Sequence, residues 1–319
     1  MNVRQLRYFI AIVERGSVSS AARTLNVAQP ALSQHILNLE ADLATELLVR
    51  SSKGVKPTKA GEVLYQHARK IVAQLKQAID DVRSEADTPR GEVLIVVPPM
   101  LGVHIAPRLL ERIADGFPDI ELRIQEELGL DVCEMVQSGR ADLGISARQN
   151  LGPKLEFVHI YTEPLYLASR RRPHDPPCSG EETVSCDDLF EVPLVLSQKS
   201  HAVRELVEAV ANETGRGLNI RVTTESTRLR ISYIQSGVTH GVLPWPSLDT
   251  PWRRGELRAR RIDDARLTRD ICFVWPKNQP MSAATKCVLN ETLAICQQLF
   301  EEGIVKGDIV ADLAQFQNP

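Results

Sequence analysis

The chain has 319 residues, 43% of them apolar and 25% charged. That is the make-up of a folded protein large enough for two or more domains, and it excludes a disordered or fibrous chain. A formal charge of −3 argues against nucleic acid for the chain as a whole. Its distribution does not, because residues 1–59 hold eight basic side chains (Arg4, Arg7, Arg15, Arg23, Arg50, Lys53, Lys56 and Lys59) and four acidic ones. That window is +4 and the remainder is −7, the pattern of a DNA reader fused to a body that avoids DNA.

The first predicted element is a helix over residues 2–15 that ends at Gly16, with Leu6, Phe9, Ile10 and Val13 at helical spacing. Arg7, Glu14 and Arg15 interrupt its apolar run, so it reads as a packed helix rather than a secretion signal. Ser17 or Ser19 can cap the next helix, which turns Ala22 and Leu25 inward. After a break at Asn26-Val27-Ala28 comes a longer helix with Pro30 in its first turn, where the missing N–H costs nothing. Leu32, Ile36, Leu39 and Leu43 share one face of it, while Gln29, Ser33 and Gln34 sit near its start on the other side. This is a helix-turn-helix whose second helix enters the DNA major groove tip first. Gln bonds adenine in a bidentate way and Ser donates or accepts, so Gln29, Ser33 and Gln34 are the candidate base readers, with His35 beside them facing phosphate. The run Leu47-Leu48-Val49-Arg50, a turn at residues 51–54 and Val55-Lys56-Pro57 predict a two-stranded wing, with Arg50, Lys53 and Lys56 set to meet phosphates.

Thr58 can cap a long helix in which Leu64, Ala68, Ile71, Leu75, Ala78 and Val82 recur at heptad spacing. Such a stripe can pack on its own domain. Polar residues on the remaining faces favour a dimer seam. A hinge at residues 87–91 follows. Beyond it strands and helices alternate: strands at residues 93–97, 120–124, 142–145, 165–167, 194–196 and 220–222, helices at 103–114, 132–138 and 203–210. The alternation predicts an α/β class with parallel sheets, and the length suggests two lobes around a cleft. Boundaries follow at 1–59 for the winged helix-turn-helix, 60–88 for the linker helix and 89–319 for an effector-binding domain. Within the last, one lobe takes about 91–162 and 266–304, the other about 163–265.

The six cysteines form no C-x-x-C pair and have no histidine at zinc-finger spacing, so they read as reduced thiols with no metal site. No apolar run is long enough for a bilayer, and a cytoplasmic protein is expected. No nucleophile elbow and no H-E-x-x-H occurs, so neither catalytic residues nor a cofactor are expected. A solute-binding module would call for a secretion signal, and an enzyme for a catalytic motif.

The ordered residues Leu6-Arg7-Tyr8-Phe9, Ala21-Ala22, Gln29-Pro30-Ala31-Leu32-Ser33-Gln34, Leu39-Glu40, Leu47-Leu48-Val49-Arg50 and Pro57-Thr58-Lys59-Ala60-Gly61 resemble the LysR-type transcriptional regulators. Weaker signatures lie at Gly139-Arg140-Ala141-Asp142-Leu143-Gly144-Ile145 and at residues 237–244. The wing and opening residues resemble the subgroup of nitrogen assimilation control proteins. The resemblance implies a periplasmic-binding-protein-like C-terminal domain of two lobes and a thymine-methyl contact from Pro30. It also implies a Glu40–Arg50 pair bracing the wing. Homodimers on an interrupted palindrome of double-stranded DNA, pairing into homotetramers, and contact with RNA polymerase follow from it as well. A small anionic effector such as a carboxylate is expected between the lobes, where strand ends meet helix N-termini. Candidate effector residues are Met100, Gly102 and His104 at one such point, Ser197, Lys199, Ser200 and His201 at another, with Arg148 and Thr227 facing the same cleft. Three positions depart from the family pattern: Ala44 stands where a helix-ending Gly is common, Leu48 where the wing has Phe, and Thr239 at the second glycine of a Gly-x-Gly.

Overall fold

The computed structural model describes residues 1–51, 54–84, 89–175, 182–199, 201–277 and 279–310. Lys53 and Ser200, named above, lie outside these. Contacts divide the chain into two compact units, residues 1–87 with 138–140, and residues 88–137 with 141–319.

In the first unit α1 (Val3–Arg15) opens with a reciprocal cap: the Asn2 side chain accepts from the Gln5 amide, and the Gln5 side chain accepts from the Asn2 amide. Gly16 ends it in the left-handed conformation. Ser17 caps α2 (Val18–Thr24), and α3 (Gln29–Leu43) starts at Ala28 with Pro30 in its first turn. Phe9, Ile12, Ala21, Leu32, Ile36 and Leu39 close a core that excludes water. Leu43 is not in it; at 38% exposed it sits in the last turn, where α3 has run past the core. Ala44 takes φ +50°, so the left-handed cap forms without glycine. For a residue with Cβ that costs about 1–2 kcal/mol.

The ribbon of β1 (Leu48–Ser51) and β2 (Gly54–Pro57) is stitched to α1, the Val55 amide donating to the Gly16 carbonyl at 2.8 Å. Gly54, at φ +118°, lies so close that a Cβ would fall 2.6 Å from that carbonyl. The Thr58 hydroxyl accepts from the Gly61 amide and so caps α4 (Lys59–Ser84). Gly61 lets α4 approach the wing, since a Cβ there would stand 2.1 Å from the Leu47 oxygen. Arg69 meets Glu14 at 3.2 Å and Tyr65 donates to the same carboxylate, fastening α4 to α1.

The second unit is a mixed sheet system. β3 (Gly91–Val97), α5 (Pro99–Gly116), β4 (Ile120–Glu126), α6 (Gly129–Gln137) and β5 (Leu143–Ala147) come first. The 16-residue β6 (Leu155–Arg170), β7 (Thr183–Val184), β8 (Leu194–Leu196), α7 (Ala202–Thr214), β9 (Ile220–Thr223) and α8 (Thr227–Gln235) follow. The remaining elements are β10 (His240–Pro244), α9 (Asp249–Arg253), β11 (Leu257–Ile262), β12 (Thr268–Pro276), α10 (Ala283–Glu301) and β13 (Asp308–Ile309). The strand order is β4-β3-β5-β12-β6-β10-β8-β9, with β11 and β13 also on β6. β3 pairs in parallel with β4 and β5, as β8 does with β9 and β10.

The expectation of parallel sheets needs correcting. β12 is antiparallel to both β5 and β6, and β10 and β11 are antiparallel to β6. None of these pairs joins consecutive strands: β10, β11 and β12 come back to β6 or β5 only after intervening strands and helices. β6 serves both sheets: its residues up to Pro164 pair with β12, and those from Leu165 pair with β10. Apolar cores therefore form on both sheets, the first around Val93, Ile95, Ile145, Phe273 and Val288 and around Val132, Val136 and Val274, the second around Leu165, Leu194, Val207 and Val242 and around Tyr166, Leu243 and Trp245.

Candidate functional site

The tip of α3 exposes Gln29, Pro30 and Gln34, with Ser33 partly covered. Ser19 donates to Gln29 Oε1 at 2.9 Å, and Gln34 donates to Asn38 at 3.0 Å, so both amides are held by neighbours on the surface. Leu37, 51% exposed, continues this face, a position the sequence reading passed over although it lies three residues beyond Gln34. His35 packs edge-on against Tyr8, ring centroids 5.1 Å apart, and stays partly exposed. In the ribbon Arg50 lies opposite Val55 and Lys56 opposite Val49. Cross-strand partners share a face, so the two cations leave the ribbon on opposite sides. Glu40 does not take Arg50 as its partner; its Oε1 accepts from the Leu47 and Leu48 amides at 2.8 and 3.2 Å. The helix braces the wing through backbone instead.

Along α4 the heptad stripe divides. Leu64 packs against the helix-turn-helix core and Ala68 is fully buried, so these two belong to the chain's own packing. Ile71, Leu75, Ala78 and Val82 stay exposed, Val82 at 75%.

In the second unit a cavity of ≈ 70 Å³ opens where β3, β5, β8 and β10 end and where β6 and β12 pass between the two sheets. On the same scale a single water needs roughly 10–15 Å³. The space therefore suits a small molecule. Arg230, Arg269, Glu163, His201, Thr227 and Tyr161 line it. Arg230 is 2% and Glu163 1% exposed. Arg269 pairs with Glu163, while Glu163 Oε2, Arg269 Nε and Arg230 Nε have no partner. Arg230 donates to the Thr227 hydroxyl at 2.7 Å. Burial brings the Arg230 guanidinium down to about 10, aided by Arg269. Burial raises the Glu163 carboxyl, and Arg269 pulls it back. His201, whose Nδ1 accepts from the Val203 amide, is pushed down to about 3 by burial and then by Arg230 and Arg269. It is neutral at pH 7, so two guanidinium groups face one carboxylate and the cavity is left with one positive charge.

The family model for bacterial regulatory helix-turn-helix proteins of the lysR family matches residues 3–62, and that for the LysR substrate binding domain matches residues 86–297. The chain belongs to the LysR family. This LysR-family chain is similar to the nitrogen assimilation regulatory protein nac of Klebsiella aerogenes, at 33% identity over 245 residues, 76% of this chain and 78% of that one. It is also similar to the HTH-type transcriptional regulator CysL of Bacillus subtilis, 27% identical over 281 residues, 88% and 92% of the two chains. Among solved structures, full-length CbnR complexed with its target DNA has a TM-score of 0.62 at 25% identity, covering 93% and 99%. A full-length OxyR variant from Pseudomonas aeruginosa shares the fold at a TM-score of 0.70, with 20% identity and coverage of 93% and 95%. The family and these relatives are regulators, not enzymes.

In this LysR-family protein only Met100, His201 and Thr227 of the described effector candidates line the cavity. Gly102 faces Val97 and Glu126 instead. His104 is half-buried beside Asp249, and its ring pKa is lowered, chiefly by burial. Arg148 stacks over Phe157 and reaches Asp270 at 3.9 Å, on the side away from its lining neighbour Ala147. Ser197 is buried with its carbonyl accepting from Arg204, and Lys199 is exposed. Strand and helix periodicity explains these misses: lining residues alternate with neighbours that point elsewhere. Arg230 could have been found, since it lies one helical turn after Thr227. Glu163 and Arg269 are 106 residues apart and carry no local signal. Among the described residues no cluster could hold a metal ion, and no helix is long and apolar enough to cross a membrane.

Proposed function

We propose that this LysR-type DNA-binding regulator reads an interrupted palindrome as a dimer and is controlled by a small anion bound at Arg230 and Arg269. The exposed, neutral, hydrogen-bonding tip of α3, carried on a rigid apolar core, is the observation that supports base reading most directly. Gln29, Ser33 and Gln34 contact base edges, Pro30 meets a thymine methyl, and Arg50, Lys53, Lys56 and His35 hold phosphate. Arg50 and Lys56 on opposite faces of the ribbon suit a wing that lies between two phosphate strands. The similar CbnR has been solved with its target DNA, which supports the same use here. Residues 1–59 form the reader, 60–88 the linker, and 89–319 the effector domain.

Dimerisation uses Ile71, Leu75, Ala78 and Val82, an apolar stripe left exposed among the described residues. It sets two α3 helices about 34 Å apart or a multiple of it. The cavity's single surplus positive charge favours a monoanion such as a monocarboxylate. A donor on the same molecule would satisfy the free Oε2 of Glu163. Tetramers and contact with RNA polymerase in the cytoplasm complete this reading.

Selection of bound sequences from a random duplex pool tests it. The intact chain is expected to enrich two half-sites, and Leu75→Asp single half-sites. Binding that fades with salt and enriches nothing would overturn the reading.

A further inference from the structure

A second concave surface lies away from the Arg230 cavity, at the other end of the β10–β6–β11 part of the sheet. Its volume is ≈ 430 Å³, against ≈ 70 Å³ for the first. Three segments build it: the end of β6 with the residues after it, the start of β10, and β11. In β11 Leu257 and Ala259 turn into the core, and the pleat brings Arg258 and Arg260 out together on the opposite face. β6 runs out into Arg170, Arg171 and Arg172 beside them.

The basin holds more positive charge than its own acids neutralise. Arg258 is spoken for, pairing with Glu182 at 2.6 Å and Asp175 at 3.6 Å. Among the described residues Arg170 donates only to the Ser236 carbonyl, at 3.4 Å. Among the described residues no carboxylate pairs with Arg170, Arg171, Arg172 or Arg260. A fold gains nothing from crowding like charges at one point, and water screens them only where they are exposed.

The floor carries an independent observation. Thr239 is 3% exposed, lines the basin, and its hydroxyl oxygen has no hydrogen-bond partner. Beside it His240 Nδ1 and Arg260 Nε are buried and unpartnered too. A buried hydroxyl without a partner is costly and rare. Thr239 is also where this chain departs from the Gly-x-Gly of its family. The backbone there is not left-handed, whereas Gly237 is at φ +81°. The side chain is thus present without any conformational need for glycine or cost of replacing it.

We propose that this basin is a second ligand site, taking a small molecule with two or more negative charges, phosphate or carboxylate, whose oxygens meet the four arginines and the Thr239 hydroxyl. Arginine forks match such oxygens two at a time, and a single monocarboxylate would leave most of the charge unanswered. The site is independent of the Arg230 cavity. The regulator would then respond to two chemically distinct signals.

Titration calorimetry of the full chain at about 0.15 M salt with pyrophosphate, citrate and acetate tests this. Pyrophosphate or citrate should bind this basin once per chain, whereas any acetate binding should belong to the Arg230 cavity and vanish in Arg230→Met. The stronger of the two polyanions tells phosphate from carboxylate. Thr239→Val and Arg260→Met should each weaken binding about tenfold, the worth of one hydrogen bond to a charged group. Arg172→Met, on the exposed rim, gives the same readout should a buried substitution fail to fold. Arg230→Met should leave polyanion binding unchanged. No binding of either polyanion, equal binding by Thr239→Val and Arg260→Met, or loss of polyanion binding in Arg230→Met would overturn the proposal. So would loss of duplex-DNA binding in Arg172→Met with no polyanion bound, which would assign the basin to nucleic acid.

Discussion

The tip of α3 and the cavity between the C-terminal lobes are both recognition surfaces, but they store energy in opposite ways. At the tip the recognising groups are neutral amides and a hydroxyl, exposed or nearly so and tied to surface neighbours. Removing one of them takes nothing from the core of Phe9, Ile12, Leu32 and Ile36 beneath. In the cavity the recognising groups are charges almost wholly withdrawn from water, each holding another in check. Recognition and stability are separable in the first region and coupled in the second.

The sharpest way to break that contrast is Arg269→Met. It strands Glu163 as an unpaired buried carboxylate and should cost the C-terminal unit about 3–5 kcal/mol in denaturant unfolding. Joining it with Glu163→Leu should return most of that loss. A cost below 1 kcal/mol for the single change would mean the cavity is no more coupled to the fold than the tip is.

His201 sharpens the contrast through pH. Its folded pKa, about 3, lies below the ordinary histidine value of 6.5. Between those values the unfolded chain binds the proton and the folded one does not. Its contribution is therefore fully present above pH 6.5 and is lost as pH falls toward 3, by about 1.4 kcal/mol per unit. His201→Asn, which retains a helix cap, should flatten the acid limb of the stability curve between pH 6.5 and 4.5. An unchanged slope would count against a buried neutral imidazole.

The tip should behave otherwise. Gln34→Ala is expected to lose about 1–3 kcal/mol of discrimination against wrong bases while unfolding and non-specific affinity stay as they were, measured by competition binding. Equal loss on every sequence would refute base reading. The smallest effect is at the end of the same helix. Ala44→Gly should stabilise the N-terminal unit by about 1 kcal/mol, because it relieves a left-handed alanine, and should leave sequence preference alone.

The same contrast governs what could be read from the residues in order. The α3 tip, its caps and the ribbon depend on neighbours within a few turns of chain, so Ser17, Pro30, Thr58 and the Leu32–Ile36–Leu39 stripe announced themselves by spacing. Even there the partner of Glu40 escaped, because a backbone amide has no letter in the sequence. The cavity was legible only as strand ends meeting helix starts. Its decisive pair, Glu163 and Arg269, meets because two antiparallel strands cross side by side, and the long β6 was foreseen only at residues 165–167. Nothing local to either residue encodes that meeting.

The placement of β12 between β5 and β6 has a consequence for synthesis. As the chain leaves the ribosome, β4, β3 and β5 can associate early, but the edge of β5 waits for a partner made about 120 residues later. At usual elongation rates that wait lasts on the order of 6–25 s. The strands from Leu165 to Ile262 are contiguous and can close first, so the lobe begun second can be finished first. Until Thr268–Pro276 slots in, the all-buried β5 presents an unpaired apolar edge. In a crowded cell the passage through that interval decides how much of this protein reaches its working form.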